Sequence, residues 1–314
     1  MHTTLLAAVA GLAITIAGPV RADWAPEGPI TMLIGLAAGG GADTQARLIA
    51  EEVEARTGWR IIPEQAPGRG GLVLANRLRG EPADGTVIGM VPSDAVGYSM
   101  VVAGDGMSLD NITPLATTAS FDMGVVALPG RGWTHIGDVF DAMRNGETIR
   151  FGVMSEKLAD FATIIGEENE VDFNIVSVEG GAGVMNGVMA GDLDIGFVAG
   201  AQARAVEAGD MINLASALSR PLNMTPDAPM LSEFGVPFTL DGYFVFVAPA
   251  GLPDAAREAI SGAIADVLND PTSRSNELVT RGFGGPSVLI GEELDSFLAR
   301  NWSDSEAMIA RMED

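Results

Sequence analysis

The chain contains no cysteine. That excludes disulfides, thiol nucleophiles and thiolate metal sites. It also excludes a diacylglyceryl lipoprotein anchor, which requires a cysteine at the cleavage point. Histidine is nearly absent too. Beyond His2, only His135 in GWTHIG remains, with no second histidine at metal-ligand spacing. A lone histidine there reads as a loop or surface residue. No Gly-x-Ser-x-Gly elbow is present, so a Ser-His-Asp hydrolase has no credible nucleophile. The sequence therefore predicts no catalytic residue, no metal site and no cofactor, although an enzyme stays open as a rival class.

Positive charge is scarce. Eighteen Lys and Arg stand against 42 Asp and Glu, for a formal net charge of −24. The one lysine is Lys157. Such a chain is repelled by phosphate backbones and anionic membrane surfaces, so nucleic acid is excluded as a partner. Long apolar runs are also lacking beyond the N-terminus. Leu5 to Gly18 is the one such run, short of the ~20 residues a bilayer span needs. With small residues at Val20 and Ala22, it predicts a secretory leader cleaved after Ala22 and a periplasmic location. Its positive flank is poor, since only the amino terminus and His2 supply charge. Retention as an anchor is the alternative.

What is present is apolar bulk and glycine. With 314 residues, 47% hydrophobic, the chain has material for a large core and a length that suggests two domains. Ile30 to Leu36 is a short apolar run suited to a buried parallel strand. Asp43 is a suitable N-cap, and Ala46, Ile49, Ala50 and Val53 come after it at helical spacing until Thr57-Gly58 stops them. The intervening Ala38 to Ala42 forms a strand-to-helix turn, whose free amides face the positive end of a helix dipole. That turn is neither a dinucleotide fingerprint nor a Walker loop, because no Gly-Lys-Ser/Thr follows it.

The alternation recurs. Trp59 to Pro63 reads as a strand, Ala66 to Gly71 as a turn, and the next stretch as a helix through Leu78. Thr86 to Val91 is a strand, and Ser93 or Asp94 caps the next helix. From Phe121 a second region repeats the scheme. Met123 to Leu128, Thr148 to Val153, Phe173 to Val178 and Asp194 to Val198 read as strands, and a helix starts near Asp138. A second glycine turn, Glu179 to Gly183, opens a helix with Val184, Met185, Val188 and Met189 on one face. Gly242 to Ala250 is a long apolar strand. Ile260, Ile264, Val267 and Leu268 mark one later helix, and Leu294, Phe297, Leu298 and Trp302 the last. This rhythm implies an α/β fold with mostly parallel sheets flanked by helices.

The order and spacing of several segments resemble one family over essentially the whole mature chain. They are AAGGGADTQARLIAEEVEARTG, EQAPGRGGLVLANRL, PADGTVIGM, NITPLATTASFDMGVVALPGRGW, VEGGAGVMNGVMAGDLDIGF and YFVFVAPAGLPDAAREAISGAIADVLNDP. They resemble the substrate-binding proteins of tripartite tricarboxylate transporters, the Bug family. The resemblance implies a two-domain periplasmic-binding-protein type II clamshell with two interdomain crossover segments. These would lie near Phe121 to Val126 and Gly242 to Val247. One domain would span 23–122 plus 243–314 and the other 123–242, after a signal peptide at 1–22. It also implies a small carboxylate ligand, dicarboxylate, tricarboxylate or aromatic, held by Ala38, Gly39, Gly40 and Gly41 on one jaw and Gly180, Gly181, Ala182 and Gly183 on the other. Integral membrane transporter subunits would receive it. Presentation of the loaded form to a membrane sensor kinase is the alternative.

The chain departs from the family pattern at several points. The first turn commonly reads Pro-Gly-Gly-Gly-Thr-Asp, and here Ala38 and Ala42 replace its proline and threonine, with Asp43 retained. In the second turn Asn186 and Gly187 stand where Thr-Asp is frequent, which disfavours a ligand with an amino group. A serine- and glycine-rich loop is replaced by Met154-Ser155-Glu156-Lys157. Arg69 stands where alanine or serine is usual. Arg69 and Lys157 are either partners for a second carboxylate or solvated surface cations. Ser93 and Ser155 are either helix caps or ligand contacts.

Overall fold

The computed structural model describes residues 24–104 and 106–313. The expected leader lies outside them. The first element, β1 (Ile30–Ile34), is an almost fully buried strand. It feeds α1 (Gly41–Thr57), whose buried stripe includes Ala46, Ile49, Ala50 and Val53. Gly58, in the left-handed conformation, ends that helix by donating its N–H to Glu54 O at 2.9 Å. Then come β2 (Ile61–Gln65), α2 (Leu72–Leu78), β3 (Val87–Pro92), α3 (Tyr98–Ala103) and β4 (Ile112–Ser120).

The chain then enters a second set: β5 (Met123–Ala127), α4 (Ile136–Arg144), β6 (Arg150–Val153), α5 (Glu156–Glu168) and β7 (Asn174–Ser177). This set continues through α6 (Gly180–Ala190), β8 (Ile195–Ala199), α7 (Ala203–Ala208) and β9 (Ile212–Ser216). It returns as β10 (Tyr243–Pro249), then α8 (Asp254–Asn269), α9 (Arg274–Phe283) and α10 (Gly291–Glu313).

Two five-stranded sheets result, ordered β2-β1-β3-β10-β4 and β7-β6-β8-β5-β9. In each, one strand opposes both neighbours: β10 in the first sheet and β5 in the second. These are the strands by which the chain arrives from the other sheet. A parallel strand needs a helical crossover within its own sheet, whereas a chain arriving from outside inserts directly as an antiparallel strand.

The two passages run side by side. The Phe121 N–H donates to Gly242 O at 2.8 Å, and Phe121 stacks edge-on against Phe244 with ring centroids 5.1 Å apart. Gly242 has no room for a side chain, because an added methyl would meet the Phe121 ring at 2.5 Å. Apolar packing runs through the passages, joining residues of both sheets into one large core.

Three local expectations shift. The N-cap of α1 is Gly40 rather than Asp43. The helix containing Asp138 starts at Ile136, and Asp138 instead accepts the His135 N–H at 3.2 Å. Met189 is 53% exposed, whereas α6 buries Val184 and Val188 and packs Met185 partly buried against the same core.

Candidate functional site

Both glycine turns end strands of the parallel part of their sheets, and both lead straight into helices that no side chain caps. The first three amides of a helix have no intrahelical acceptor. In α1 these belong to Gly41, Ala42 and Asp43, and the fourth, Thr44, is the first to bond back, to Gly40 O at 3.0 Å. In α6 they belong to Gly180, Gly181 and Ala182, with Glu179 as N-cap. Gly180 holds φ +66, a conformation that favours glycine.

The structure brings the two turns together. A methyl group placed on Gly180 would lie 3.5 Å from the Ala37 Cβ. One placed on Gly181 would lie 3.8 Å from Met154 Sδ. The two turns, each at a helix N-terminus that carries a partial positive charge, therefore lie beside one another where Gly180 approaches Ala37. Backbone N–H groups at a helix N-terminus are chemically suited to an anion.

Two of the expected amides have partners within the turn. Gly39 gives its N–H to Asp43 Oδ2 at 2.9 Å, and Gly40 gives its N–H to Ala37 O at 3.4 Å. Ala38 is exposed ahead of them. Gly183 follows as the fourth residue of α6. Asp43 is buried, and its carboxylate also accepts from Arg47 Nε at 2.9 Å and Gln65 Nε2 at 2.5 Å. Its side chain braces the turn from within and is not offered to the cleft; its amide is.

Arg69 is exposed at the start of a short 3-10 turn, Arg69–Gly71, with φ +47. This turn faces the second sheet, since a methyl on Gly70 would lie 3.5 Å from the Ser155 Cβ and 3.6 Å from Ser99 Oγ. Ser155 caps α5, accepting the Leu158 N–H at 3.4 Å. Ser93 is fully buried; its Oγ accepts the Tyr243 N–H at 3.2 Å and its carbonyl accepts from Asn301 Nδ2 at 3.1 Å. It ties β3 to the returning strand. Asn186 lies exposed in the second turn of α6.

Lys157 is neither a solvated cation nor a free partner for a second carboxylate. It is buried, and its Nζ donates to Asp94 Oδ1 at 2.7 Å. Nearby, the Tyr98 hydroxyl donates to Asp160. Burial, then this carboxylate, pushes the phenol well above its usual value. Asp94, Tyr98 and Asp160 carry no motif in the sequence; the isolated lysine was the one available signal. Among the described residues no His/Cys/Asp/Glu group fits a metal ion, and no helix is long and apolar enough to cross a membrane.

Comparison with known proteins agrees with this fold. The profile of the tripartite tricarboxylate transporter family receptors, TctC, matches residues 45–310. Protein BugT of Bordetella pertussis is 24% identical over 269 residues, covering 80% of each chain. A structure of MatC from Rhodopseudomonas palustris with bound malate superposes with a TM-score of 0.77 at 20% identity, covering 90% of this chain and 99% of MatC. A second protein of that organism, with adipate, gives 0.78 at 20% identity, covering 91% and 97%. The fold is the two-domain α/β clamshell of periplasmic binding proteins. The chain belongs to the tripartite tricarboxylate transporter receptor family, a family of solute-binding receptors and not of enzymes.

Proposed function

We propose that this chain captures a small carboxylate between its two glycine turns and delivers it to the membrane subunits of a tripartite tricarboxylate-type transporter. The observation that carries this reading is the convergence of two uncapped helix N-termini, with Gly180 against Ala37. The carboxylate bridges the amides of Gly41, Ala42 and Asp43 on one jaw and Gly180, Gly181 and Ala182 on the other. Each charge-assisted bond contributes roughly 1.5–3 kcal/mol net. The jaws are residues 23–122 plus 243–314 and residues 123–242, hinged at the paired passages around Phe121 and Gly242. A ligand that touches both jaws only when they are closed shifts the equilibrium toward closure. Arg69 at the rim pairs with a second carboxylate where the ligand has one. The mature chain begins at Asp23 and works in the periplasm.

Malate in MatC and adipate in the second R. palustris protein support dicarboxylates as first candidates. A thermal-shift screen of residues 23–314 against dicarboxylates, tricarboxylates and aromatic carboxylates, each beside its amide, tests the site. At 100 times Kd a ligand adds about 2.7 kcal/mol, a shift of several degrees for a chain this size. A shift with an acid and none with its amide is expected; equal shifts would refute anion recognition. Ligand-dependent capture of membrane proteins tests delivery, and recovery of a sensor kinase in place of a transporter would replace delivery with sensing.

A further inference from the structure

Around the passages, Arg220, Gln202 and Asn223 of the second jaw bond to Phe121 and Asp122 of the first; away from these and from the glycine turns, a further set of polar contacts between the jaws falls on one helix. Lys157, Asp160, Glu167 and Glu168 all lie on α5, which packs on the second sheet. Their partners, Asp94, Tyr98 and Arg311, all belong to elements of the first. Spacings of three, seven and one place the four residues along one stripe of the helix. The ties grade outward from the cleft. The Lys157 and Asp94 side chains are 7% and 13% exposed, whereas Arg311, at 3.0 Å from Glu167 and 3.5 Å from Glu168, is 39% exposed.

None of these ties uses an amide of the glycine turns. Each joins a side chain of one jaw to a side chain of the other. The hinge alone does not require them, because the passages at Phe121 and Gly242 are held by their own hydrogen bond.

We infer that α5 is a latch that holds the jaws closed independently of ligand, with the Lys157–Asp94 pair as its inner bolt. This rests on the proposed opening of the jaws about the paired passages, and not on the identity of the ligand. A buried ion pair gains little over apolar groups of the same volume, but loss of one partner leaves the other buried and uncompensated on closing. The closed state is therefore sensitive to either single substitution and tolerant of joint replacement by apolar groups. Lys157 and Asp94 are positioning residues, acting on the ligand site through jaw closure. A pre-closed population raises apparent affinity in proportion to its share.

The lack of cysteine makes the test direct. Nitroxides at Val73→Cys on α2 and Met189→Cys on α6, both exposed positions, report the jaw separation by electron–electron resonance in ligand-free protein. The expected wild-type result is a predominant short distance. Asp94→Asn and Lys157→Met each lower the closed-to-open ratio by at least about tenfold, which is about 1.4 kcal/mol. The Lys157→Met/Asp94→Leu double variant recovers the short distance. A merely structural role would lower the melting temperature of the single variants without lengthening the distance. That result, or a wild type already open, would overturn the latch. Because no ligand is added, its failure leaves carboxylate binding to be judged by the thermal-shift screen.

Discussion

Gly39 donates its N–H to Asp43 Oδ2 at 2.9 Å, so the first glycine turn is braced by a residue of the helix it leads into. The same carboxylate accepts from Arg47 and Gln65. Asp43→Ala strands these donors, one of them a backbone amide. The expected cost is about 1–3 kcal/mol, read by chemical denaturation. Affinity for carboxylates falls with it, because the Gly41 to Asp43 amides lose their fixed direction. Asp43→Asn, which keeps an acceptor oxygen, recovers part of both; a variant with unchanged stability would show that the brace is idle.

Gly40→Asp separates binding from stability. Gly40 holds φ −75 and ψ 167, the extended N-cap conformation that aspartate adopts readily. A Cβ there meets Ala37 O at 3.3 Å, a contact that needs a few tenths of an ångström of adjustment. The new carboxylate caps the amides of Ala42 and Asp43 itself and takes the place of the ligand. Carboxylate binding disappears while the folding stability holds or rises by the few tenths of a kcal/mol that separate glycine from aspartate at an N-cap. Wild-type affinity in that variant would refute the site.

The net charge of −24 opposes approach of an anion more than it opposes the bound state. Distant carboxylates are screened beyond about 10 Å at 0.1 M salt, and the amides act at contact. Raising salt from 50 to ~500 mM, beyond which screening shortens toward ~3 Å, should increase the association rate of a carboxylate in stopped flow. An association rate independent of salt would count against this.

Asp194 gives a pH test in the second sheet. Burial would raise its carboxyl pKa, but hydrogen bonds from Arg150, at 2.9 Å from both its N–H and Nε, and from Arg131 outweigh that and hold it below the usual value. A depressed folded value stabilises the protein above the unfolded value, ~3.9. That contribution is lost as pH falls through the folded value. Thermal melts from pH 7 down to ~2.5 should therefore show Asp194→Asn less stable at neutral pH, with a shallower decline below pH ~4. Parallel curves would exclude this linkage.

Much of the fold is legible locally. The stripe Ala46, Ile49, Ala50 and Val53 and the buried run Ile30–Ile34 are set by periodicity and apolar content, and the structure has both. The strands β4 and β9 and the helices α5, α7 and α9 carry weaker local signals. In β4, polar Thr117 and Thr118 are fully buried by partners distant in sequence: Ser287 O accepts from the Thr117 hydroxyl and Gln45 Oε1 from that of Thr118. Such burial leaves no alternation to read.

By itself the sequence determined what chemistry is absent and where strands run through glycine into helices, because cysteine count, apolar period and glycine are properties of neighbouring residues. Tertiary structure alone decided which turn amides remain free, since Asp43 claims Gly39 only once the turn is folded. It alone paired Lys157 with Asp94. Those residues are 63 positions apart and serve different sheets. Their meeting depends on a chain that passes twice between the jaws, a relation that no local pattern records.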